Sequence, residues 1–154
     1  MAQEKIILTR EGYEKIKIKL KHLEGVERKK VAEDIKEAQS FGDISENAEF
    51  DDARNRQGML EQEIAELKNV LQHAKIVSGT GTNGKVAIGS KVKLKSKNKV
   101  ETYHIVGDLE ADPREGKISY QSPIGRALLD KVKGFKMQIS TPRGKREAEI
   151  VEIL

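Results

Sequence analysis

The sequence contains no cysteine and no tryptophan, and it has only three histidines. Without cysteine the chain can form neither a disulfide bond nor a thiolate metal site. The histidines, His22, His73 and His104, are scattered, and no two of them have the spacing of a zinc motif. Catalysis that depends on cysteine or histidine therefore has little support in this chain.

Long apolar runs are also missing. Near the N-terminus the only apolar run is Ile6 to Leu8, which is far shorter than the core of a signal peptide. No other segment approaches the length needed to cross a bilayer. We therefore expect a cytoplasmic protein without a membrane partner.

Aromatic residues make up only 4% of the chain, whereas charged residues make up 35%. A chain of 154 residues can hold one medium domain or two small ones, and each small core would be marginal by itself. This composition suits an extended, helix-rich part better than a single large core.

Charge is distributed unevenly along the chain. Residues 1–77 contain 14 Lys and Arg against 16 Asp and Glu, a net of −2, whereas residues 78–154 contain 15 against 9, a net of +6. The partner of the C-terminal half is therefore expected to be acidic or of mixed charge, unless the dispersed lysines only keep the surface soluble.

Two segments show the heptad spacing of a coiled coil. The second is unbroken, with apolar or small residues at steps of three and four: Phe50, Ala53, Gln57, Leu60, Ile64, Leu67, Leu71 and Ala74. The first has an extra step of four through Glu27, a stutter that unwinds a supercoil locally: Tyr13, Ile16, Leu20, Leu23, then Val31, Ile35 and Ala38.

The two segments pair if the chain folds back on itself. Ala38 with Phe50 gives position numbers that add to 88, and Leu20 with Leu67 gives 87. In an antiparallel pair the position numbers of facing residues add to a constant, because one rises as the other falls. The near-constant sum therefore predicts an antiparallel hairpin over residues 1–77, with an acidic tip at 42–46. Each arm of roughly 30 residues is about 45 Å long at a rise of about 1.5 Å per residue. Thr9 is the predicted N-cap of the first helix, and Gly42 allows a positive φ at the bend.

Residues 78–84 read as a flexible linker, and residues 85–154 alternate as strands do. Ser122 before Pro123 predicts the start of one short helix. The predicted fold class is α+β, a long antiparallel helical hairpin followed by a small, mostly antiparallel sheet domain. The candidate strands are 85–88, 91–94, 103–106, 117–120, 137–139 and 149–153.

The bend is the most unusual segment. From Asp43 to Asp52 there are five acids and no base, in a chain of net charge +4. Asp43 and Glu46 have the spacing of a capping box, in which both side chains bind backbone N–H groups at a helix start. They also have the hard oxygen atoms that Mg²⁺ prefers. Taken alone, this fragment favours capping over metal binding.

Four stretches in order resemble the bacterial Gre family of transcript-cleavage factors, across essentially the whole chain. They are Leu8 and Thr9 through Tyr13; Ser40 to Phe50; Ile105 to Gly107 with Glu110 to Asp112; and Ile118 and Ser119 through Ser122 to Gly125, with Ala127 to Leu129. The resemblance implies a hairpin followed by an FKBP-like domain. It also implies a factor that is not itself an enzyme. Such a factor binds bacterial RNA polymerase, inserts its hairpin into the secondary channel and stimulates cleavage of backtracked nascent RNA.

The resemblance also implies roles for individual residues, and it reverses the preference for capping at the bend. Asp43 and Glu46 would act in trans as ligands of the second catalytic Mg²⁺, shared with the polymerase, and the chain would hold no cofactor of its own. Arg54, which matches a basic position of the family, would lie near the RNA 3′ end, and Arg56, which also lies within about two turns of the tip, would add to that contact. The polymerase rim would be contacted by Ser122, Pro123 and Ile124. A monomer is expected.

Two other functions remain open at this point. A protein of this fold could occupy the polymerase channel and modulate it without stimulating cleavage. An FKBP-like domain could also be a prolyl isomerase, although that activity normally needs an aromatic-lined pocket. The C-terminal half offers only Tyr103, Tyr120 and Phe135 for such a pocket.

Overall fold

The computed structural model describes residues 5–42, 48–77 and 84–154, and it confirms the α+β fold class. Its contacts divide the chain into two compact units. One unit is residues 13–73, and the other joins the residues up to Gly12 to those from Ala74 onward. Residues 78–83 of the predicted linker lie outside the described ranges, and the predicted domain limits stay a prediction.

The first unit is the helical hairpin. Helix α1 spans Arg10–His22, a π-helical segment spans Leu23–Glu27, α2 spans Arg28–Ser40 and α3 spans Ala48–His73. None of the helices in these described ranges is both long and apolar enough to cross a bilayer.

The two arms of the hairpin run antiparallel, as predicted. Arg28 pairs with Glu61, and Asp34, further along the first arm, pairs with the earlier residue Arg56. Between the arms lies a narrow apolar cluster, which contains residues of both predicted seams: Leu20, Leu23, Val31, Ile35, Leu60, Ile64 and Leu67.

The pairing value, which is the sum of the position numbers of two facing residues, changes from 88 to 87 along the hairpin, and the π-helical segment explains this change. Between the pairs Val31–Gln57 and Leu20–Leu67 the first arm advances eleven residues and the second only ten. A π turn accommodates one extra residue within an α-helix. The structure places that turn at Leu23–Glu27, inside the interval where the sequence has its stutter. The stutter is therefore absorbed by a local change of helix type.

The second unit contains a five-stranded sheet. Its strands are β3 Lys91–Ser96, β4 Lys99–Val106, β5 Lys117–Ser119, β6 Lys136–Thr141 and β7 Gly144–Ile153. Their order in the sheet is β5-β4-β3-β7-β6, and all neighbouring strands are antiparallel except β4 and β5. The short helix α4, Pro123–Leu128, follows β5, and Ser122 caps it as predicted.

The core of this unit is a single cluster of buried residues: Val86, Val92, Leu94, Ile105, Leu128, Ile139, Ala148 and Ile150. The prediction of a strand at 85–88 is wrong. Val86 is fully buried, but its N–H donates to the carbonyl of Lys131 and its carbonyl accepts from Asp130. These bonds tie it to the segment that follows α4 rather than to a strand of the sheet.

A short parallel pair lies where α1 begins. Strand β1, Ile7–Thr9, pairs with β2, Lys75–Val77. Thr9 caps α1 as predicted, because its hydroxyl accepts from the N–H of Gly12 at 3.1 Å. The carboxylate of Glu110 in turn accepts from the N–H and the hydroxyl of Thr9 and from the N–H of Gly107. The first turn of α1 is thus bonded to the loop after β4.

Candidate functional site

The end of the hairpin lies between two helix termini. Helix α2 ends at Ser40, and Gly42 has the predicted positive φ, at 118°. Helix α3 begins at Ala48. Asp43 and Glu46 fall between these termini and lie outside the described residues, so their roles stay predictions. What the structure establishes is the surface that flanks them on both arms.

That flanking surface is acidic. Glu49, Asp51 and Asp52 are exposed in the first turns of α3. Glu49 and Asp52 line a groove of about 380 Å³ with Glu37 and Asp34 of the facing helix. Negative charge at a helix N-terminus is favourable because the backbone N–H groups there are unpaired. Across the described ranges, however, no three His, Asp or Glu side chains are grouped as metal ligands.

Arg56 bridges the arms of the hairpin just below this end. Its guanidinium lies 3.0 Å from Asp34 of α2 and 3.3 Å from Asp52, one turn earlier on α3. Two carboxylates therefore compete with any RNA phosphate for this side chain. Sequence reasoning missed this arrangement because Asp34 is 22 positions away, and only the antiparallel pairing brings it close.

Arg54 is placed differently. It is exposed, and its guanidinium carbon lies 6.0 Å from the centre of the Phe50 ring, a cation–π distance. No acid in the described part of the chain forms an ion pair with it. Of the two residues predicted to lie near RNA, Arg54 is the one whose charge is not matched by any carboxylate that the structure describes.

The second candidate contact, Ser122 to Ile124, forms the start of α4. The Ser122 hydroxyl accepts from the Gly125 N–H at 3.1 Å and donates to the Ser119 carbonyl at 2.7 Å. Pro123 is exposed in the first turn, and Ile124 packs partly against the sheet core. A Cβ added at Gly125 would lie 2.1 Å from the Ser119 carbonyl oxygen, so this corner is closely packed.

Comparison with known proteins covers both halves of the chain. A family model described as "Transcription elongation factor, N-terminal" matches residues 6–76. A second, described as "Transcription elongation factor, GreA/GreB, C-term", matches residues 81–154. The chain belongs to the GreA/GreB family of transcription elongation factors.

Curated members of the GreA/GreB family match over nearly their full length. Identity to transcription elongation factor GreA of Macrococcus caseolyticus is 45% over 154 residues, which covers 98% of each chain. Identity to that of Bacillus subtilis is 42% over 156 residues, which covers 99% of each. The solved GreA factor homolog 1 of Thermus thermophilus is 28% identical with a TM-score of 0.43, covering 98% of this chain and 99% of that one. So loose a superposition adds nothing to the family assignment.

Proposed function

We propose that this elongation factor binds bacterial RNA polymerase, inserts its hairpin into the secondary channel and stimulates cleavage of backtracked nascent RNA. The observation that supports this most directly is the position of the acidic segment between the end of α2 and the start of α3. A pair of antiparallel helices can carry such a segment into a narrow channel. The carboxylates would complete an active site that belongs to the polymerase.

Asp43 and Glu46 are the proposed functional pair. Carboxylates are hard oxygen donors, and Mg²⁺ in proteins commonly takes one or two of them together with water and phosphate. The donor set therefore fits a second Mg²⁺ held jointly with the polymerase. When bound, such an ion supplies the positive charge that activates water and stabilises a leaving oxygen. The two side chains also carry acceptor atoms that can orient the attacking water.

Arg54 and Arg56 have separate proposed roles. Arg54, which no described acid pairs with, would contact the phosphates of the RNA near its 3′ end. Arg56, held between Asp34 and Asp52, would mainly keep the two arms in register below the acidic segment. Loss of Arg54 should therefore weaken RNA contact, whereas loss of Arg56 should loosen the end of the hairpin.

The corner formed by Ser122, Pro123 and Ile124 is the proposed contact with the rim of the channel, made by a monomer. Its backbone is fixed by the Ser122 cap, and Pro123 presents an exposed apolar ring. A rigid corner suits docking because little conformational entropy is lost on binding.

The test is a cleavage assay on backtracked polymerase carrying end-labelled RNA. Asn caps a helix about as well as Asp. Asp43→Asn should therefore preserve folding, yet abolish stimulated cleavage, and Glu46→Gln should do the same. Asp51→Asn is the matched control, since Asp51 is an exposed acid in the first turn of α3 and should be dispensable.

Binding must be measured in parallel, by competition with labelled wild-type protein for polymerase. The proposal requires that Asp43→Asn still competes. Full cleavage by Asp43→Asn would contradict the assignment of the site. A wild-type protein that occupies polymerase without stimulating cleavage would instead identify a channel-binding regulator.

A further inference from the structure

Two turns at one end of the sheet form a basic groove. The β3–β4 turn is Lys97–Asn98, and the β6–β7 turn is Pro142–Arg143. Since β3 pairs with β7, these turns are neighbours. Together they line a groove of about 580 Å³ with the residues that flank them: Ser96, Lys97, Asn98, Lys99, Arg143, Gly144, Lys145 and Arg146.

The charge of this groove is mostly uncompensated. Five of its eight lining residues are cations and none is an acid. The neighbouring Glu101 takes up two of them, since its carboxylate lies 2.9 Å from Lys99 and 2.9 Å from Arg146. The other three, Lys97, Arg143 and Lys145, are exposed and form no ion pair with any acid of the described ranges.

Glu101 also fixes the geometry of the groove. Its carboxylate accepts from the Tyr103 hydroxyl at 2.6 Å and from Arg146 at 2.9 Å. The hydrogen bond from Tyr103, followed by that from Lys99, lowers the pKa of Glu101 to about 2. The carboxylate stays ionised near neutral pH and holds Arg146 in one orientation. An anion that binds here meets a partly preorganised wall.

Lys97 adds a backbone observation. Its φ is 53°, in the left-handed region where glycine or asparagine is the usual choice. This conformation is unfavourable for a residue that has a Cβ, and glycine would avoid that cost. A lysine at this position places an exposed cation in the lining of the groove.

The lining chemistry narrows the class of ligand. Unpaired bases bind by stacking on aromatic rings, and protein partners bind most strongly where aromatic or aliphatic side chains are buried. The groove is lined by neither. Clustered Lys and Arg without such anchors are suited to contact the phosphates of a duplex, and such contacts do not depend on its base sequence. We propose that this groove binds the phosphodiester backbone of double-stranded DNA.

The groove is separate from the corner proposed to dock on polymerase. Strand β5 pairs with the Val106 end of β4, and Ser122 follows β5. The basic turns lie at the Lys99 end of β4, seven residues away, or about 23 Å at a rise of about 3.3 Å per residue. Duplex binding here does not depend on the cleavage activity, and both surfaces could be occupied at once.

The test uses the full chain and a fluorescently labelled DNA duplex of about 20 base pairs, titrated by anisotropy from about 50 to 200 mM salt. The groove variant combines Lys97→Asn, Arg143→Gln and Lys145→Gln. The control combines Lys21→Gln, Lys29→Gln and Lys36→Gln, which remove the same charge from exposed positions of the hairpin.

We expect the groove variant to bind the duplex at least about tenfold more weakly than wild type. Its slope of log affinity against log salt should fall by about 2 to 3, because each lost phosphate contact contributes about 0.9. The control should stay within about twofold of wild type. Equal losses in both variants would mean that only net charge matters, and would overturn the proposal.

Two further results would also overturn it. One is the absence of duplex binding by wild type at the lowest salt. The other is a groove variant that binds duplex normally but has lost affinity for polymerase, which would make the groove a protein contact. A parallel titration with single-stranded DNA should show weaker binding than duplex, and tighter binding would contradict the choice of ligand.

Discussion

The hairpin and the sheet unit bury their apolar residues in different ways. Among its described residues the hairpin has one narrow apolar cluster between its arms, and ion pairs such as Arg28 with Glu61 and Lys68 with Glu24 join the arms on the outside. In the described part of the sheet unit, eight buried residues form one continuous core. An extended pair of helices exposes most of its surface and gains less from burial than a sheet covered on one face. The hairpin's stability therefore depends on the register of a few contacts, and that of the sheet unit on the volume of its core.

Truncation of a core side chain should give the largest difference in unfolding free energy between the two units. Ile150 is fully buried in the sheet core, and Ile150→Ala should lower the free energy of unfolding by about 4 kcal/mol through lost burial and a new cavity. Ile64 is 2% exposed in the hairpin seam, where a two-helix interface can close over the gap. Ile64→Ala should cost about 2 to 3 kcal/mol.

Urea unfolding gives these free energies, and hydrogen exchange shows which amides lose protection. Ile64→Ala should expose amides of residues 13–73 selectively. Ile18, which is 69% exposed, supplies the control, since Ile18→Ala should change stability by less than about 0.5 kcal/mol. A larger loss for Ile64→Ala than for Ile150→Ala would reverse the comparison.

A deletion tests the register of the hairpin directly. Removing Gly25 takes one residue out of the π segment and makes the pairing value constant along both arms. The arms should then form regular α-helices, with stability within about 1 kcal/mol of wild type, since a helical glycine is itself unfavourable by about that amount.

Removing Ala65, an exposed residue of α3, is the matched deletion. It doubles the mismatch between the arms and should misplace the aliphatic contacts on one side of it, at a loss on the order of 2–4 kcal/mol. Thermal unfolding followed by circular dichroism at 222 nm measures both variants. Equal destabilisation by the two deletions would mean that the π segment does not carry the extra residue.

The smallest expected effect concerns acid stability in the sheet unit. The pKa of Glu101 is lowered from its ordinary value near 4.5 to about 2 by hydrogen bonds from Tyr103 and Lys99. The folded state therefore binds its proton less readily than the unfolded state does. This contribution is fully present above about pH 4.5 and is lost as the pH falls towards 2.

Glu101→Gln should flatten the fall in unfolding free energy across that pH range. Glu147→Gln, at an exposed position of β7 without an ion pair to described residues, should keep the wild-type slope. An unchanged acid slope in Glu101→Gln would mean that the hydrogen bonds to this carboxylate do not survive in solution.

Much of this architecture could be predicted because it is local or periodic. The heptad seams, the Thr9 and Ser122 caps and the positive φ of Gly42 each follow from a few neighbouring residues. The β1–β2 pair could not be predicted, because three-residue strands show no period and their partners are 68 positions apart. The prediction of a strand at 85–88 was wrong because the alternation of apolar and polar residues does not reveal which acceptor a backbone N–H will bind.

For the candidate site, the acids Asp43 and Glu46 were found from composition and resemblance, and they remain to be tested by substitution. The different environments of Arg54 and Arg56 could not be found in that way. They depend on which side of the hairpin each arginine occupies, and on Asp34 of the opposite arm.

The sequence by itself determined the helical hairpin, the acidic segment at its bend and the family of the chain, because periodicity and short motifs are written in consecutive residues. Only the tertiary structure decided that one extra residue is absorbed as a π turn, that Arg56 is held by two carboxylates and that two distant turns meet in a basic groove. Each of these depends on how the arms of the hairpin or the strands of the sheet pack against each other, which consecutive residues do not reveal.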